Sequence, residues 1–428
     1  MDGCTVMIFV IFFACAFLGV PIAMALTLGS LIPLMVYTNV PLESIAQKFY
    51  TGCDVFSLMA IPLFILCGGL MAKTGVSKRL CDFLGSLFSW LPGGLAIVSF
   101  LVCMFFGAIS GSATATVVAI GSIMVPAMIE EGYEERFALA AIAVGGILGS
   151  IIPPSIPMVV YGNTSGASIA DIFTGGILPG VLLTLLFSTY CFFYGKKHVK
   201  SQNKFEAKRV WITFKDAVWG LLMPVIILGG IYGGIFTPTE AAAVASVYGI
   251  VVGFVIYREL DFKKFYTVLK ESSVSGAYIM LIVAAATGYG YVMTRQQIPL
   301  HIAEAITSVT TNKYVFLLLV NILLLVIGTF METCASILIV TPMLVPLCNQ
   351  FGIDLVAFGV IMCINLAIGF VTPPLGLNLY VAARLRNKPV GFVINKHLFV
   401  LIGIAILVVL ILSNFESIVL FLPNLLRG

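Results

Sequence analysis

The sequence predicts an all-α polytopic membrane protein made of two inverted-topology repeats, with re-entrant hairpins and proline-broken helices. Three observations support this prediction: an extreme apolar composition, a proline motif that recurs at a fixed offset, and an exchange of charge between aligned loops. Of the 428 residues, 60% are hydrophobic and 10% are charged, whereas soluble domains are about 45–50% apolar. The mean hydropathy of +1.12 places the chain in a lipid bilayer.

Apolar stretches of helical length recur along the whole chain. Because one crossing takes roughly 20 residues, they predict about ten to twelve membrane spans. The stretches cover residues 4–18, 22–37, 55–71, 137–152, 177–194, 221–236, 241–257, 278–293, 315–330, 355–371 and 398–412.

Charge and cysteine content exclude several other classes. The net charge of +4 comes from basic loops and gives no case for nucleic acid as a partner. The ten cysteines form no CxxC pair and lie mostly in apolar segments, so neither a disulfide framework nor a cysteine metal site is expected. Because the first basic residue is Lys48, the first apolar stretch is expected to be a retained span and not a cleaved signal peptide.

The motif GSIIPPSIP at residues 149–157 has a counterpart, GFVTPPLGL, at residues 369–377. The offset is 220 residues, and the same offset brings other glycines, prolines and a threonine into register. The further pairs are Gly68 with Gly288, Thr74 with Thr294, Pro126 with Pro346, and Gly132 with Gly352. Residues in register at one offset indicate an internal repeat.

Basic residues exchange between the aligned loops, as two halves of opposite orientation require. Residues 256–272 carry four Lys or Arg residues against one in 36–52, and 384–396 carry four against none in 164–176. In the other direction, 73–79 carries three against one in 293–299. This pattern predicts a first repeat at 1–195, a cytoplasmic linker at 196–216 and a second repeat at 217–428. It places 73–79, 196–216, 258–272 and 384–396 inside, and 38–53, 163–175, 295–313 and both termini outside.

Each double proline falls near the middle of a predicted span, at 137–161 and at 355–382. A proline inside a helix leaves carbonyl groups unpaired, which a membrane protein tolerates where they face protein or water. Freed carbonyls suit a hard cation such as sodium, and the start of the following half-helix favours an anion. The alternative is a simple packing kink. Two breaks in register, with polar neighbours, favour a binding site; these neighbours are Ser150, Ser155, Asn163, Thr164, Thr372 and Asn378.

Two segments upstream of the breaks are too polar for plain spans and resemble the tips of re-entrant hairpins. They are FFGAISGSATAT at 105–116 and GTFMETCAS at 328–336, and the repeat aligns Ser112 with Glu332. For the first segment, the alternative is a helix contact between small residues. A carboxylate such as Glu332 within a membrane segment is by default an ion ligand, a proton carrier or the partner of a buried Arg. Arg295 is the candidate partner; it could also bind a carboxylate substrate or extend to lipid headgroups.

Enzyme functions have little support. The histidines are His198, His301 and His397, all at predicted loop or span ends, and the sequence has neither HExxH nor a P-loop. The segment FTPTEAA at 236–242 is explained by helix capping through Glu240. The sequence therefore predicts no enzyme, and an ion gradient as the energy source.

Five motifs together resemble the large membrane subunit of tripartite ATP-independent periplasmic (TRAP) transporters, and more loosely the wider superfamily of sodium–anion symporters. They are AIPLFILCGGLM at 60–71, MFFGAISGSATAT at 104–116, LGSIIPPSIPMVVYG at 148–162, GGIFTPTEAAAVA at 233–245 and FVTPPLGLNLYVA at 370–382. The resemblance implies a multi-pass protein of the bacterial inner membrane with an elevator mechanism. In that mechanism two hairpins and two broken helices carry sodium and substrate along a fixed scaffold.

The resemblance also implies the site residues, with sodium as the coupling ion and no organic cofactor. One sodium site would use Ser110, Gly111, Ser112 and Thr114 with carbonyls near Gly149 and Pro153. The other would use Thr329, Glu332, Thr333 and Ser336 with carbonyls near Val371, Thr372 and Pro373. Substrate would lie near Ser112, Ser155, Arg295 and Asn378.

Two partners follow from the resemblance: a small four-helix membrane subunit, and a periplasmic binding protein that delivers an organic anion. Because the chain starts at its first span, the small subunit is expected to be separate. The anion would be a C4-dicarboxylate or a sialic acid, and the resemblance around TRQQIP and METCAS favours sialic acid. The alternatives are a stand-alone sodium–dicarboxylate symporter and a membrane channel or scaffold without coupled transport.

Overall fold

The computed structural model describes residues 3–38, 40–199 and 205–427, and these fold into helices joined by short turns. The segment Phe56–Met59 is a 3₁₀-helix and Val252–Ile256 is a π-helix. The α-helices are Gly3–Phe17, Ile22–Tyr37, Leu42–Cys53, Ala60–Lys73, Val76–Phe88, Gly94–Ser110, Ala113–Glu130, Glu135–Gly145, Leu148–Ile151, Ile156–Ser165, Ile169–His198, Ala207–Tyr232, Pro238–Val251, Phe262–Arg295, Ile298–Val309, Lys313–Phe330, Thr333–Gln350, Leu355–Gly369, Leu377–Arg384, Val390–Val393, Lys396–Asn414 and Glu416–Arg427.

Nine helices of the described part are long and apolar enough to cross a membrane. A tenth crossing results if Glu135–Ile151 and Ile156–Ser165, which meet at a bend of 41°, are counted as one span. Shorter apolar helices of 10–17 residues accompany them, among them Gly94–Ser110 and Leu355–Gly369. The protein is therefore an all-α, multi-pass membrane protein, as the composition predicted.

Two helix pairs correspond to the predicted hairpins. Hairpin 1 consists of Gly94–Ser110 and Ala113–Glu130, and its arms pack against each other. Hairpin 2 consists of Lys313–Phe330 and Thr333–Gln350; its first arm packs mainly against Leu355–Gly369. In both pairs, two residues separate the arms.

The chain also breaks at both double prolines. Broken helix 1 runs from Glu135 to Ser165 and is interrupted after Ile151, and broken helix 2 runs from Leu355 to Arg384 and is interrupted after Gly369. The second half of each broken helix crosses to the other repeat. Ile156–Ser165 packs against the second arm of hairpin 2, and Leu377–Arg384 packs against the second arm of hairpin 1. Hairpins and broken helices thus form one interlocked central unit.

Glycines set the distance between each hairpin and its own broken helix. A methyl group on Gly107 would lie 2.8 Å from the Cα atom of Gly149. In the second half, a methyl group on Gly328 would lie 2.9 Å from the carbonyl oxygen of Leu366 and 3.3 Å from the Cα atom of Gly369. Small residues allow this approach of two backbones in a membrane protein. The two hairpins therefore contact their broken helices in the same way.

The remaining helices flank the central unit, and in this region the two halves differ. The second half has one helix, Phe262–Arg295, of 34 residues. The corresponding part of the first half is interrupted at Asp54 and Val55, between Leu42–Cys53 and Phe56–Met59. The predicted linker 196–216 overlaps helices on both sides, since one ends at His198 and the next begins at Ala207; residues 200–204 lie outside the described residues. The orientation of the two halves in the membrane stays a prediction.

Candidate functional site

The tip of hairpin 1 is shaped by one glycine and one serine. Gly111 ends the first arm in the left-handed region, at φ +60°, which a residue with a Cβ atom rarely adopts. Ser112 is extended and caps the second arm, and its Oγ accepts a hydrogen bond of 3.4 Å from the backbone N–H of Ala115. The turn predicted at these residues is therefore present.

Four hydroxyl groups surround this tip. Ser110 Oγ lies 3.1 Å from Thr116 Oγ1, and Ser112 Oγ lies 3.3 Å from Thr114 Oγ1. Thr116 also donates a hydrogen bond of 2.8 Å to the carbonyl oxygen of Ser112. Thr116 is not among the ligands predicted from the sequence, although its spacing of one helical turn from Ser112 places it on the same face.

The tip of hairpin 1 rests on the break in helix 1. The backbone N–H of Ile156 donates to the carbonyl oxygen of Gly111 at 3.4 Å. A methyl group on Gly149 would lie 2.5 Å from the carbonyl oxygen of Ser112. Pro153 lies buried in this break. The structure thus brings the hairpin residues proposed for the first sodium site up to the break predicted to supply its carbonyls.

Ser155 closes the first break from inside. Its fully buried hydroxyl donates to the carbonyl oxygen of Ser150 at 2.6 Å. This hydrogen bond satisfies one of the carbonyls released by the prolines, so Ser155 has a clear backbone role. Its oxygen can still accept a hydrogen bond from a ligand.

The tip of hairpin 2 repeats this arrangement with a carboxylate. Glu332 caps the second arm, and its Oε2 accepts a hydrogen bond of 3.0 Å from the backbone N–H of Ala335. Ser336 donates a hydrogen bond of 2.9 Å to the carbonyl oxygen of Glu332. Each of these groups lies 220 residues after its counterpart in hairpin 1, namely Ser112, Ala115 and Thr116. The second tip therefore has the same local fold, with a carboxyl group in place of a hydroxyl group.

Two threonines near this tip were also predicted as ligands. Thr329 donates a hydrogen bond of 2.6 Å to the carbonyl oxygen of Val326, within its own helix. Thr333 is buried, and its Oγ1 has no hydrogen-bond partner within the described part of the chain. A buried hydroxyl without a partner is costly unless it binds a ligand, an ion or water.

The second break is more open than the first. Val371 is buried and Thr372 donates a hydrogen bond of 2.8 Å to the carbonyl oxygen of Ile368, but Pro373 is only half-buried. Leu375 stands where the first break has Ser155, and it is 42% exposed. Residues 152–155, by contrast, are all buried. Accessibility thus distinguishes two breaks that look alike in sequence.

Asn378 links the two halves of the site. Its fully buried side chain donates a hydrogen bond of 3.1 Å to the carbonyl oxygen of Ala143, in broken helix 1. A methyl group on Gly146 would lie 3.0 Å both from Asn378 Nδ2 and from the carbonyl oxygen of Ala113, at the start of the second arm of hairpin 1. The Oδ1 atom of Asn378 has no hydrogen-bond partner among the residues described. Asn378 therefore presents a free acceptor close to the tip of hairpin 1.

Arg295 is the predicted site residue that the structure does not bring to these tips. It is exposed at the end of helix Phe262–Arg295. Tyr278, on the same helix, lies within electrostatic range of Glu332, and it is about 25 Å from Arg295 along the helix axis, at 1.5 Å per residue. In the described part of the chain, the basic residues in ion pairs are Arg79, Lys313, Arg386 and Lys388. The structure therefore does not place Arg295 beside Glu332.

The donor atoms at the two tips are hydroxyl, carbonyl and carboxylate oxygens. Hard cations prefer such oxygens, and the buried oxygens without partners at Thr333 and Asn378 are positioned to bind an ion or a polar ligand. The residues present thus fit sodium at both tips.

Replacing Thr116 by valine tests whether the hydroxyl group of Thr116 belongs to the first sodium site. We expect Thr116→Val to weaken the apparent sodium affinity about fivefold, the equivalent of about 1 kcal/mol, because it removes the hydroxyl whose two hydrogen bonds organise the tip. Thr189→Val is the matched control, since the exposed Thr189 also donates to the carbonyl four residues earlier, at 2.8 Å. Uptake measured against sodium concentration checks this; equal affinities in the two variants would remove Thr116 from the site.

Comparison with known proteins agrees with this architecture. The family described as "Tripartite ATP-independent periplasmic transporter, DctM component" matches residues 9–416. The C4-dicarboxylate TRAP transporter large permease protein DctM of Pseudomonas aeruginosa is 39% identical over 401 residues, covering 94% of each chain. The sialic acid TRAP transporter large permease protein SiaM of Vibrio cholerae is 36% identical over 413 residues, covering 96% of each.

A longer relative is the isethionate TRAP transporter permease protein DctMQ of Oleidesulfovibrio alaskensis. It is 44% identical over 409 residues, which cover 94% of this chain but only 64% of that protein. The chain therefore spans less than two thirds of the length of this relative.

A solved structure shares the fold. The crystal structure of the YdaH transporter of Alcanivorax borkumensis aligns with a TM-score of 0.66 at 15% identity, covering 96% of this chain and 98% of that chain. At this identity the likeness concerns the fold alone. The family match over most of the chain, together with two hairpin tips that face two broken helices, identifies the protein as a member of the family of TRAP transporter DctM components.

Proposed function

We propose that this chain is the large permease subunit of a sodium-coupled secondary transporter that imports an organic anion. The observation that carries the proposal is the pair of oxygen-lined hairpin tips, each next to a broken helix and with buried acceptor oxygens close by. Broken helices with polar tips are the arrangement in which transporters hold ions and substrates near the middle of the membrane.

Sodium would bind at both tips. At hairpin 1 the ligands would be Ser110, Gly111, Ser112 and Thr114, with carbonyls near Gly149 and Pro153. At hairpin 2 they would be Thr329, Glu332, Thr333 and Ser336, with carbonyls near Val371, Thr372 and Pro373. Bound cations would supply positive charge next to the substrate, and this chain's own hydroxyl and amide groups would orient it.

Substrate would lie between the tips, next to Ser112, Ser155 and Asn378. The half-helices Ile156–Ser165 and Leu377–Arg384 begin there, and the partial positive charge of a helix N-terminus favours an anion. The second break would be the way in, since Leu375 and its neighbours are exposed. The names of the relatives give C4-dicarboxylates, sialic acid and isethionate as their substrates. We propose that this chain transports a C4-dicarboxylate or a sialic acid, and isethionate, a sulfonate, is the comparison substrate in uptake assays.

Two partners complete the proposed system: a small four-helix membrane subunit and a periplasmic binding protein. The family description, tripartite and periplasmic, supports both. In the proposed cycle the central unit moves as an elevator against the flanking helices. Its interlocked packing, in which each half-helix contacts the opposite hairpin, supports movement as one body.

Uptake into proteoliposomes tests the proposal. With the small subunit and the binding protein present, labelled substrate should accumulate when an inward sodium gradient is imposed and should not when potassium replaces sodium. Uptake by this chain alone with sodium would indicate a stand-alone symporter, and uptake that is unchanged in potassium would indicate a channel. Either result would overturn the tripartite, sodium-coupled function.

Arg295→Ala tests how far the site extends. Because Arg295 is exposed and far along its helix from Tyr278, we expect this variant to retain uptake within about twofold, as surface substitutions away from special features usually have small effects. Asn378→Ala is the comparison, and it should lower uptake at least about tenfold, since it removes a buried polar contact between the halves. If Arg295→Ala abolishes uptake while the protein remains folded, Arg295 is a substrate ligand, as the sequence predicted.

A further inference from the structure

The N-terminal end of helix Ala207–Tyr232 carries an unusual exposed surface. All three tryptophans of the chain lie here: Trp211 and Trp219 on the helix, and Trp90 after the neighbouring helix Val76–Phe88. They are 59%, 39% and 45% exposed, respectively. The ring of Trp90 meets that of Phe205 edge-on, with centroids 6.3 Å apart.

Five exposed residues on the helix form one face, which we call the tryptophan–lysine face. Their spacings are three or four residues, except for one pair of adjacent residues. They therefore cover a sector of roughly 100° of the helix surface. They are Lys208, Trp211, Ile212, Lys215 and Trp219.

The opposite side of the helix fixes the direction of this face. Thr213 Oγ1 lies 2.9 Å from Ser86 Oγ, and the ring of Phe214 packs on that of Phe83 at 5.5 Å. Both partners belong to helix Val76–Phe88. The tryptophan–lysine face therefore points away from the protein.

The charge of this end is positive. Lys208, Arg209 and Lys215 are exposed, and none of them takes part in the four ion pairs of the described chain. Lys215 Nζ lies 5.1 Å above the ring of Trp211. Within residues 206–219 the acidic residues are Glu206 and Asp216, so the three basic groups leave this stretch with a net positive charge.

The length of the helix places the start of this face at the membrane surface. Its 26 residues extend over about 39 Å, while the hydrocarbon core of a bilayer is about 30 Å thick. About 9 Å of helix, residues 207–212, therefore extends into the headgroup region at the basic end; Lys215 starts about 3 Å below that level and Trp219 about 9 Å below it, beside the upper acyl chains. Tryptophan rings prefer this level of a membrane, and lysine side chains reach from it to the headgroups.

We propose that the tryptophan–lysine face, with Arg209 and Trp90, binds the headgroups of anionic phospholipids in the leaflet next to the basic loops. Lysine is depleted from the centres of protein–protein interfaces, whereas alternating tryptophan and lysine complements a negatively charged lipid surface. This site is separate from the transport site and does not depend on the proposed function.

Intrinsic fluorescence provides a direct test, because every tryptophan of the chain reports on this surface. The protein is placed in nanodiscs of phosphatidylcholine containing a fixed fraction of either brominated phosphatidylglycerol or brominated phosphatidylcholine. Quenching should be stronger with the brominated anionic lipid. Each basic residue at the membrane surface raises the affinity for anionic lipid by about fivefold, so this lipid should be enriched next to the tryptophans. High salt should reduce the difference.

The variant K208Q/R209Q/K215Q should lose the preference for the anionic lipid but keep its quenching by brominated phosphatidylcholine, which also shows that it is folded. K263Q/K264Q/K270Q is the matched control, with three exposed lysines neutralised at the start of helix Phe262–Arg295, and it should keep the preference. Equal quenching by both lipids in the unmodified protein, or an unchanged preference in the first variant, would overturn the proposal. Absence of quenching by either lipid would do so too, because it would show that the tryptophans do not contact lipid.

Discussion

Gly369→Ala is expected to abolish transport and to lower the unfolding midpoint of the purified protein. A methyl group on Gly369 would overlap the backbone of Gly328, coming within 2.6 Å of its Cα and carbonyl oxygen atoms. Backbone atoms of a packed helix cannot rotate away as a side chain does, so broken helix 2 must separate from hairpin 2. Overpacking of this kind costs about 3 kcal/mol, and it misplaces the tip that carries Glu332.

Gly403→Ala is the control for this substitution. Gly403 lies within helix Lys396–Asn414 and has no atom within 4 Å of the position of the added methyl group. Alanine is the better helix former by about 1 kcal/mol, so this variant should be as stable as the unmodified protein or slightly more so. Thermal unfolding in detergent and uptake in proteoliposomes measure both effects. A Gly369→Ala protein that unfolds and transports like the Gly403→Ala protein would disprove the close contact.

Glu332→Gln is expected to weaken the activation of transport by sodium at least about tenfold, or 1.4 kcal/mol. The amide oxygen of glutamine can still accept the hydrogen bond from Ala335 that caps the helix, so the substitution removes the charge and keeps the local fold. A cation held by a carboxylate and neutral oxygens loses its strongest ligand in this way.

Asp354→Asn provides a matched loss of charge at a helix cap. Asp354 Oδ1 accepts hydrogen bonds of 2.8 and 3.1 Å from Val356 and Ala357, and it lies at the start of broken helix 2, away from the break. Its substitution should leave the sodium dependence unchanged. Titrations of initial uptake rate with sodium give the comparison. If Glu332→Gln matches Asp354→Asn, the carboxylate of Glu332 serves only as a helix cap.

Much of the local structure could be predicted from neighbouring residues. Both prolines at each motif lack an N–H, so the helices had to break at residues 152–155 and 370–376. The segment 236–242 was explained by capping, and Thr237 and Glu240 do form a reciprocal capping box. These features depend on a few consecutive residues, which is why they could be predicted without knowledge of the packing.

The site itself was only partly predictable. The position of Asn378 near a break predicts a polar site residue, but its contact with Ala143 joins residues 235 positions apart. The charge of Arg295 and the family resemblance predict a site residue, yet Arg295 lies at an exposed helix end. The difference in solvent exposure between the two breaks could not be predicted from the motifs. Ser155 and Leu375 occupy equivalent positions in two motifs that otherwise look alike.

From its amino-acid sequence alone, this chain can be identified as a helical membrane protein with two related proline breaks and two polar turns. Hydropathy, proline and capping act within one or two helical turns, so the chain records them directly. Three features appear only in the folded protein: which oxygens meet, the crossing of each half-helix to the opposite hairpin, and which break is open. Those outcomes depend on how closely helices far apart in sequence can approach, which glycines such as Gly149 and Gly369 permit but which no short segment specifies alone.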